Sequence, residues 1–181
     1  MIKAGIIGGA GYTAGELIRL LLNHNQVSID FVFSTSNAGN KVSKVHQDLI
    51  GSTEISFTSE INSDVDVLFL CLGHGNSKAF LEQNSFSEHT KIIDLSNDFR
   101  LEFNQTFENK TFVYGLPEFQ KKRIKTSNFV ANPGCFATAI QLAVLPLANA
   151  ELLTNDLHVN AVTGATGAAW PCRRHDYRHV G

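Results

Sequence analysis

The amino-terminal segment, an apolar run followed by a glycine-rich turn and a helical pattern, restricts the fold more than any other feature of the chain. Ile2–Ile7 has the apolar pattern of a buried strand and runs directly into the turn Gly8–Gly15. Glu16–Leu22 then has a helical pattern that ends at Asn23–Asn25. Strand, glycine turn and helix in this order are typical of the first unit of a parallel α/β sheet that binds a dinucleotide.

Three positions of this turn match the dinucleotide-binding pattern. Gly8 permits a tight turn, Gly11 lets the backbone approach a pyrophosphate, and Ala14 stands where a third glycine often allows a helix to pack closely on a strand. Tight β–α connections without a ligand also use glycine. The position of the turn directly after the first strand is what favours a dinucleotide site.

The second predicted strand, Val27–Phe33, indicates which dinucleotide is bound. In an NAD enzyme an acidic residue near the end of this strand holds the ribose 2′-hydroxyl, but here Asp30 lies in the middle of the strand. The strand ends in Ser34, Thr35 and Ser36, which leave room for a 2′-phosphate and can donate hydrogen bonds to it. We therefore expect NADP, although the same residues are equally compatible with a simple polar turn.

Two further apolar runs, Val65–Leu72 and Lys91–Leu95, read as buried strands of the same parallel sheet. We expect Cys71 to belong to the core without a chemical role. The first run opens into Gly73–Ser77 at the carboxyl edge, where open α/β sheets bind ligands. His74 in this turn either faces a cofactor or makes local hydrogen bonds.

Arg100 follows the second of these strands, and its guanidinium geometry suits a carboxylate or a phosphate. The alternative is a structural ion pair with Asp98 or another neighbour. Farther on, Tyr114–Glu118 reads as an ordered turn and Gln120–Lys125 as a solvated basic face.

The segment Phe129–Thr138 contains the most reactive candidate side chain. Phe129–Ala131 reads as the end of a strand, Asn132–Gly134 as a sharp turn, and the apolar residues that follow as a helix whose first turn contains Cys135. The amino terminus of a helix favours the thiolate, which is the nucleophilic form of cysteine. A small buried hydrophobe is the alternative role for Cys135.

Composition excludes several classes of function. The chain has 181 residues, of which 43% are hydrophobic and 18% charged, and this composition is typical of a globular protein with a real core. A net charge of −2 does not favour nucleic acid or an anionic membrane surface as a partner. Without a membrane-spanning run or a signal segment, and with cysteines only at 71, 135 and 172, we expect a cytoplasmic protein without a disulfide framework.

Four motifs in order resemble the N-acetyl-gamma-glutamyl-phosphate reductases of arginine biosynthesis, and the match covers roughly residues 1–167. The motifs are Gly8–Leu17, Ile93–Leu101, Tyr114–Glu118 and Asn132–Thr138. The last two in combination are specific to this family, in which tyrosine is more common than Phe136 after the cysteine.

The resemblance implies a Rossmann-type parallel sheet that binds NADP over residues 1–134. The start of an α+β catalytic and dimerisation domain would occupy residues 135–181, and the full-length protein would be a homo-oligomer. Cys135 would attack an N-acyl-glutamyl phosphate, release phosphate and carry a thioester that NADPH reduces to the semialdehyde. The residues expected to bind the cofactor are Gly8, Gly11, Tyr12, Thr13, Ser34, Ser36 and Gly73. Those expected to bind substrate are Arg100 and Asn132.

The resemblance weakens toward the carboxyl terminus. His158–Gly164 reads as the first strand of the second domain, but from about residue 168 the chain departs from the family pattern and reads as a tail. A frame-shifted or truncated gene would produce this departure, so we expect cofactor binding with little turnover and identify no catalytic histidine. Cys172, His175 and His179 have the spacing of zinc ligands, but a structural site needs four ligands and we expect no metal.

Two other functions remain open from the sequence. The first is an enzyme that resembles aspartate-semialdehyde dehydrogenase, which uses similar chemistry on a shorter acid. The motif Tyr114–Glu118 favours the reductase over this enzyme. The second is an NADP-binding chain without catalytic activity.

Overall fold

The structure is a computed structural model that describes residues 1–164 and 167. Its strands are β1 (Ile2–Ile7), β2 (Val27–Phe33), β3 (Phe57–Thr58), β4 (Val67–Leu70), β5 (Lys91–Asp94), β6 (Thr106–Phe107), β7 (Lys110–Thr111), β8 (Val113–Tyr114) and β9 (Phe129–Ala131). Its helices are α1 (Tyr12–Leu22), α2 (Ser77–Gln83), α3 (Pro117–Thr126) and α4 (Cys135–Asn149). The chain divides into two compact units, Met1–Gly134 and Cys135–Gly181.

Seven strands of the first unit form one sheet in the order β3-β2-β1-β4-β5-β9-β8, and all neighbouring pairs are parallel. β6 and β7 pair antiparallel in a separate hairpin. The chain adds β2 and β3 on one side of β1 and then returns to place β4 on the other side. The carboxyl ends of β1 and β4 therefore form the topological switch point at which α/β sheets bind ligands.

Both faces of this sheet are covered, as the near-continuous apolar strands predict. Ile7 packs in a core cluster with Leu68 and Leu70, whereas its neighbour Ile6 packs in a second cluster with Ile18 of α1. Adjacent residues of one strand point to opposite faces, so the two clusters lie on the two sides of the sheet. The predicted Rossmann-type parallel sheet is confirmed.

Several element boundaries differ from those predicted. β4 ends at Leu70 rather than Leu72, and α3 begins at Pro117 inside the predicted turn, because proline is well suited to the first position of a helix. The strand predicted over His158–Gly164 is wrong. These residues lie outside every element and are exposed, and no strand among the described residues pairs with them to supply the hydrogen bonds that a strand requires.

Helix α4 is strongly apolar, yet none of its residues is buried. Phe136, Leu142 and Leu147 are each more than two-fifths exposed. Among the helices of the described residues, none combines the length and the apolar character needed to cross a membrane.

Candidate functional site

The turn after β1 fits tightly against the end of β4. Gly8 has a φ of +77°, a conformation that side chains rarely adopt. A Cβ atom added to Gly8 would lie 2.5 Å from the carbonyl oxygen of Cys71, and one added to Gly9 would lie 2.2 Å from Val32 Cγ1. Any residue larger than glycine would therefore push this turn away from the switch point.

The amino terminus of α1 presents backbone donors that none of the described residues accepts from. Gly11 is the N-cap, no side chain caps the helix, and its first turn contains no acidic residue. Among residues 1–164 and 167, no acceptor pairs with the backbone N–H groups of Tyr12, Thr13 and Ala14. A Cβ atom added to Gly11 would meet only the carbonyl oxygen of Gly8, at 3.7 Å. Tyr12 and Thr13 are exposed whereas Ala14 is buried, so the N–H groups of Tyr12 and Thr13 at the positive end of the helix suit an anionic group such as a pyrophosphate.

Close packing of α1 occurs at a different residue from the one that the sequence pattern indicates. Ala14 is fully buried, but the tight contact is at Gly15, where an added Cβ would lie 2.5 Å from Nδ1 of His46. His46 belongs to the irregular segment between β2 and β3, and sequence reasoning did not identify it. The only available signal was a histidine preceded by the apolar residue Val45, which is too weak to predict a contact with the glycine turn.

The polar residues after β2 form a small hydrogen-bonded cluster. The side-chain amide of Asn37 donates to Ser34 Oγ at 3.3 Å and to Ser36 Oγ at 3.1 Å. The two hydroxyl oxygens lie 3.5 Å apart, with Ser34 buried and Ser36 exposed. Asp30 accepts from Asn62 instead, at 2.9 Å. Because hydroxyls that accept from Asn37 keep their own protons, the cluster can donate to an anionic oxygen.

The turn after β4 is held by the carboxylate of Asp98. Its Oδ1 accepts from the N–H of Gly75 at 2.6 Å, and its Oδ2 accepts from Ser77 at 2.9 Å and Lys78 at 3.1 Å. Gly73 and His74 are exposed in this turn, and His74 Nδ1 accepts from the N–H of Asn97 at 3.1 Å. His74 therefore makes a hydrogen bond to the segment after β5, 23 residues farther along the chain.

A buried carboxylate lies beneath the same turn. Asp94, at the end of β5, is fully buried and accepts from Ser77 Oγ at 2.5 Å and from Ser96 Oγ at 2.7 Å. Burial raises the pKa of Asp94 above its ordinary value; the bonds from Ser77 and Ser96 oppose this shift, and the Asp98 carboxylate adds to it. Sequence reasoning did not identify this network, because Ser77 and Asp94 are 17 residues apart in the chain.

Arg100 joins the carboxyl ends of two neighbouring strands. Its Nε donates to the carbonyl of Asn132 after β9, and its Nη2 donates to the carbonyl of Leu95 after β5, each at 2.8 Å. The considered ion pair with Asp98 does not form, and no carboxylate of the described residues pairs with Arg100. An arginine that is oriented but not neutralised remains able to attract an anion.

The two described cysteines differ in environment. Cys71 is partly buried, and burial raises the pKa of its thiol to about 12, with a further contribution from the Asp94 carboxylate. Cys135 is the first residue of α4 and is exposed, which does not agree with the buried-hydrophobe alternative. Cys172 lies outside the described residues.

Other sites contribute little to a cofactor assignment. The described residues contain no cluster of histidine, cysteine or acidic side chains able to hold a metal ion. The zinc-like trio Cys172, His175 and His179 lies outside the described residues. A cavity of about 440 Å³ opens at the amino ends of β5 and β9, where Thr90 and Asn128 line it, and none of the expected site residues does.

A parallel sheet with a close-packed glycine turn at its switch point defines a Rossmann-type dinucleotide-binding domain. The chain belongs to the semialdehyde dehydrogenase family. Residues 3–127 match its NAD binding domain, and residues 135–174 match its dimerisation domain.

Two curated relatives, each named N-acetyl-gamma-glutamyl-phosphate reductase, confirm the resemblance inferred from the four motifs. The protein of Flavobacterium johnsoniae is 64% identical over 168 residues, which cover 93% of this chain and 52% of the relative. That of Christiangramia forsetii is 66% identical over 168 residues, which cover 93% of this chain and 51% of the relative. The chain thus spans about half the length of these relatives.

A solved structure shares the fold. Aspartate semialdehyde dehydrogenase with NADP from Candida albicans has a TM-score of 0.62 and 18% sequence identity, covering 84% of this chain and 48% of that chain. At this identity the similarity concerns the fold alone. The names of the sequence relatives do not favour the aspartate-semialdehyde dehydrogenase alternative.

Proposed function

We propose that this chain supplies the NADP site and the nucleophilic cysteine of an N-acetyl-gamma-glutamyl-phosphate reductase. The observation that carries the proposal is the turn Gly8–Gly11, which fits against the end of β4 and is followed by the exposed N–H groups of Tyr12 and Thr13, for which the described residues supply no acceptor. These features fit a pyrophosphate, and the names of the relatives supply the reaction. Gly8, Gly11, Tyr12, Thr13 and Gly73 would line the cofactor.

The cluster after β2 supports NADP rather than NAD. Ser34 and Ser36 both accept from Asn37 and share one hydrogen bond between their hydroxyls, so one hydroxyl proton of the pair remains available to a 2′-phosphate. Asp30, the acidic residue of β2, is exposed and accepts a hydrogen bond from the side chain of Asn62, outside the serine cluster. A 2′-phosphate would therefore meet a donor and no carboxylate from this cluster.

The proposed chemistry depends on Cys135. Its thiolate would attack the carbonyl carbon of the acyl phosphate, the C–O bond to phosphate would break, and a thioester would form on the sulfur. Bound NADPH supplies a hydride to a thioester carbonyl. Expulsion of the thiolate then releases the semialdehyde and restores Cys135.

Arg100 and Asn132 are the proposed substrate residues. The guanidinium of Arg100 is held by two backbone carbonyls and carries a charge that no described carboxylate neutralises. It would attract the phosphate of the substrate or stabilise the phosphate that leaves. Asn132 is exposed and lies close to Cys135 in the sequence, which supports a role for its side-chain amide in binding the substrate.

We extend the proposal to the oligomeric state, the location and the acyl group of the substrate of the whole protein. Its dimerisation-domain match supports assembly into a homo-oligomer. Cytoplasmic location and the N-acetyl group of the substrate belong to the proposal as well, and the names of the relatives support the latter.

Titration of the chain with NADPH and NADH tests the cofactor. We expect NADPH to bind more tightly, and Ser36→Asp to weaken NADPH selectively because a carboxylate repels the 2′-phosphate. Ser52→Asp adds the same charge to another exposed turn and should leave both affinities unchanged. Tighter binding of NADH than of NADPH by the unmodified chain would contradict the assignment.

Partial alkylation of the folded chain with iodoacetamide tests the nucleophile. We expect mass spectrometry to find Cys135 modified before Cys71, because Cys135 is exposed whereas the pKa of Cys71 is raised to about 12. Incubation with N-acetyl-glutamyl phosphate should then add an acyl group at Cys135, and Cys135→Ser should abolish this adduct. Labelling that begins at Cys71 would oppose this role for Cys135.

A further inference from the structure

A buried histidine lies directly behind the glycine turn. His46 is 8% exposed, and its Nε2 is 2.7 Å from the carbonyl oxygen of Gly9. A carbonyl oxygen can only accept a hydrogen bond, so Nε2 carries a proton and donates it. The backbone N–H of His46 donates to the carbonyl of Val42, and its carbonyl accepts from the N–H of Leu49, each at 3.0 Å. Both backbone groups of His46 are therefore hydrogen-bonded.

The other side of the same ring contacts helix α1. A Cβ atom on Gly15 would lie 2.5 Å from Nδ1 and 2.8 Å from Cε1 of His46. The imidazole therefore fills the space that a side chain at position 15 would need. One side chain thus contacts the turn at Gly9 and the first part of the helix at Gly15.

This contact orients a donor of the turn. The described residues contain no cis peptide bond, and in a planar trans peptide the N–H points opposite to the C=O. Because the carbonyl of Gly9 points at His46, the N–H of Ala10 points away from the buried ring. No acceptor among residues 1–164 and 167 pairs with that N–H group, so it is available to a ligand.

We infer that His46 is a positioning residue for the pyrophosphate of the dinucleotide. Its hydrogen bond to Gly9 holds the peptide that presents the Ala10 donor, and its contact with Gly15 sets the turn against α1. The inference rests on the proposed NADP site and adds to it a residue that does not itself touch the cofactor.

Two substitutions of His46 test this role, one that keeps a hydrogen-bond donor and one that keeps only apolar volume. His46→Gln places an amide N–H at the same number of bonds from Cα as Nε2, whereas His46→Leu keeps apolar volume without a donor. We expect His46→Leu to raise the Kd of NADPH about tenfold, the effect of losing one orienting hydrogen bond, and His46→Gln to restore most of the affinity. His89→Leu, at an exposed histidine, is the matched control and should leave binding unchanged.

A second ligand distinguishes positioning from general destabilisation. Adenosine 2′-monophosphate has the 2′-phosphate but no pyrophosphate, so its affinity should be the same in the unmodified chain and in both variants. Equal weakening of both ligands in His46→Leu, or unchanged NADPH binding, would overturn the inference. Failure of the unmodified chain to bind NADPH would instead overturn the proposed function.

Gly15→Ala provides an independent test if His46→Leu does not fold. Alanine favours a helix, but its methyl group would displace the imidazole. We expect weaker binding of NADPH with unchanged binding of adenosine 2′-monophosphate. An unchanged NADPH affinity in folded Gly15→Ala would show that the position of His46 does not matter.

Discussion

Two turns at the carboxyl edge of the sheet are held in different ways. The β1 turn (Gly8–Gly11) is held by close contact of its backbone with Val32 of β2 and with Cys71 after β4, and by the buried ring of His46. The β4 turn (Gly73–Asn76), together with the start of α2, is held by the carboxylate of Asp98, which accepts three backbone N–H groups. We therefore expect the first turn to be sensitive to added volume and the second to loss of charge.

One glycine in each turn makes the contrast direct. Gly8 and Gly75 have nearly the same backbone conformation, with φ of +77° and +83°. An added Cβ would meet the carbonyl of Cys71 at Gly8, but at Gly75 it would meet nothing within 4 Å. Substitution at both positions separates the cost of packing from the cost of conformation.

Gly8→Ala is expected to have the largest effect. The strained conformation and the clash with backbone that cannot move aside should together lower the free energy of unfolding by about 3 kcal/mol and abolish NADPH binding. Urea denaturation and cofactor titration measure the two effects. Gly39→Ala is the control, because Gly39 has a φ of +82° and open space around it, and it should cost only about 1 kcal/mol. Equal losses in the two variants would show that the β1 turn is not closely packed.

Asp98→Asn should have the next largest effect. An amide retains one acceptor oxygen and directs an NH₂ group at N–H donors, so about 2 kcal/mol of unfolding free energy should be lost. Asp98 is only partly buried, so its hydrogen bonds contribute less than those of a fully buried carboxylate. Asp48→Asn, at an exposed aspartate in another turn, should change stability by less than about 0.5 kcal/mol. If Asp98→Asn is as mild as this control, the carboxylate does not hold the β4 turn.

The sequence predicted the parts of the fold that depend on local pattern. β1 and β2 have the predicted bounds, and β9 ends where the predicted strand ends, since each is an apolar run recognisable within its own segment. The two-residue strand β8 was not predicted, because such a short strand is defined by its pairing with β9 rather than by its own residues.

In the candidate site, too, features that depend on local sequence were predicted and features that depend on long-range contacts were not. The glycine turn could be identified because its spacing is local, whereas the contacts of His46 with Gly9 and of Asp98 with Gly75 join residues separated by 37 and 23 positions. Such contacts depend on how irregular segments pack against the sheet, and no sequence period reports this. The role of Arg100 as a link between β5 and β9 was missed for the same reason.

Gly75→Ala should have a smaller effect than the first two substitutions. Its φ of +83° is unfavourable for alanine, but the methyl group has space and the N–H that donates to Asp98 is retained. We expect a loss of about 1 kcal/mol in the free energy of unfolding, with little change in NADPH affinity. A loss as large as that of Gly8→Ala would remove the distinction between the two turns.

The smallest effect is expected in the pH dependence that Asp94 contributes beneath the β4 turn. Burial raises the pKa of Asp94 in the folded chain above its ordinary value of 3.8, so the folded state holds a proton that the unfolded state has lost. Its contribution to stability is therefore fully present below about pH 3.8 and is lost as the pH rises through the folded pKa.

Asp94→Asn cannot titrate, so the unfolding free energy of this variant minus that of the unmodified chain should increase with pH over this window. Among the groups that contact or influence Asp94, Ser77 and Ser96 do not ionise in this range, whereas Asp98 does. Asp98→Asn removes the neighbouring charge that raises the pKa of Asp94. In the Asp98→Asn background, the unfolding free energy of the chain with Asp94→Asn minus that of the chain that retains Asp94 should therefore increase less with pH. Urea denaturation across the window measures both differences, and a difference that stays constant or decreases with pH would show that Asp94 is not held in an environment that disfavours its charge.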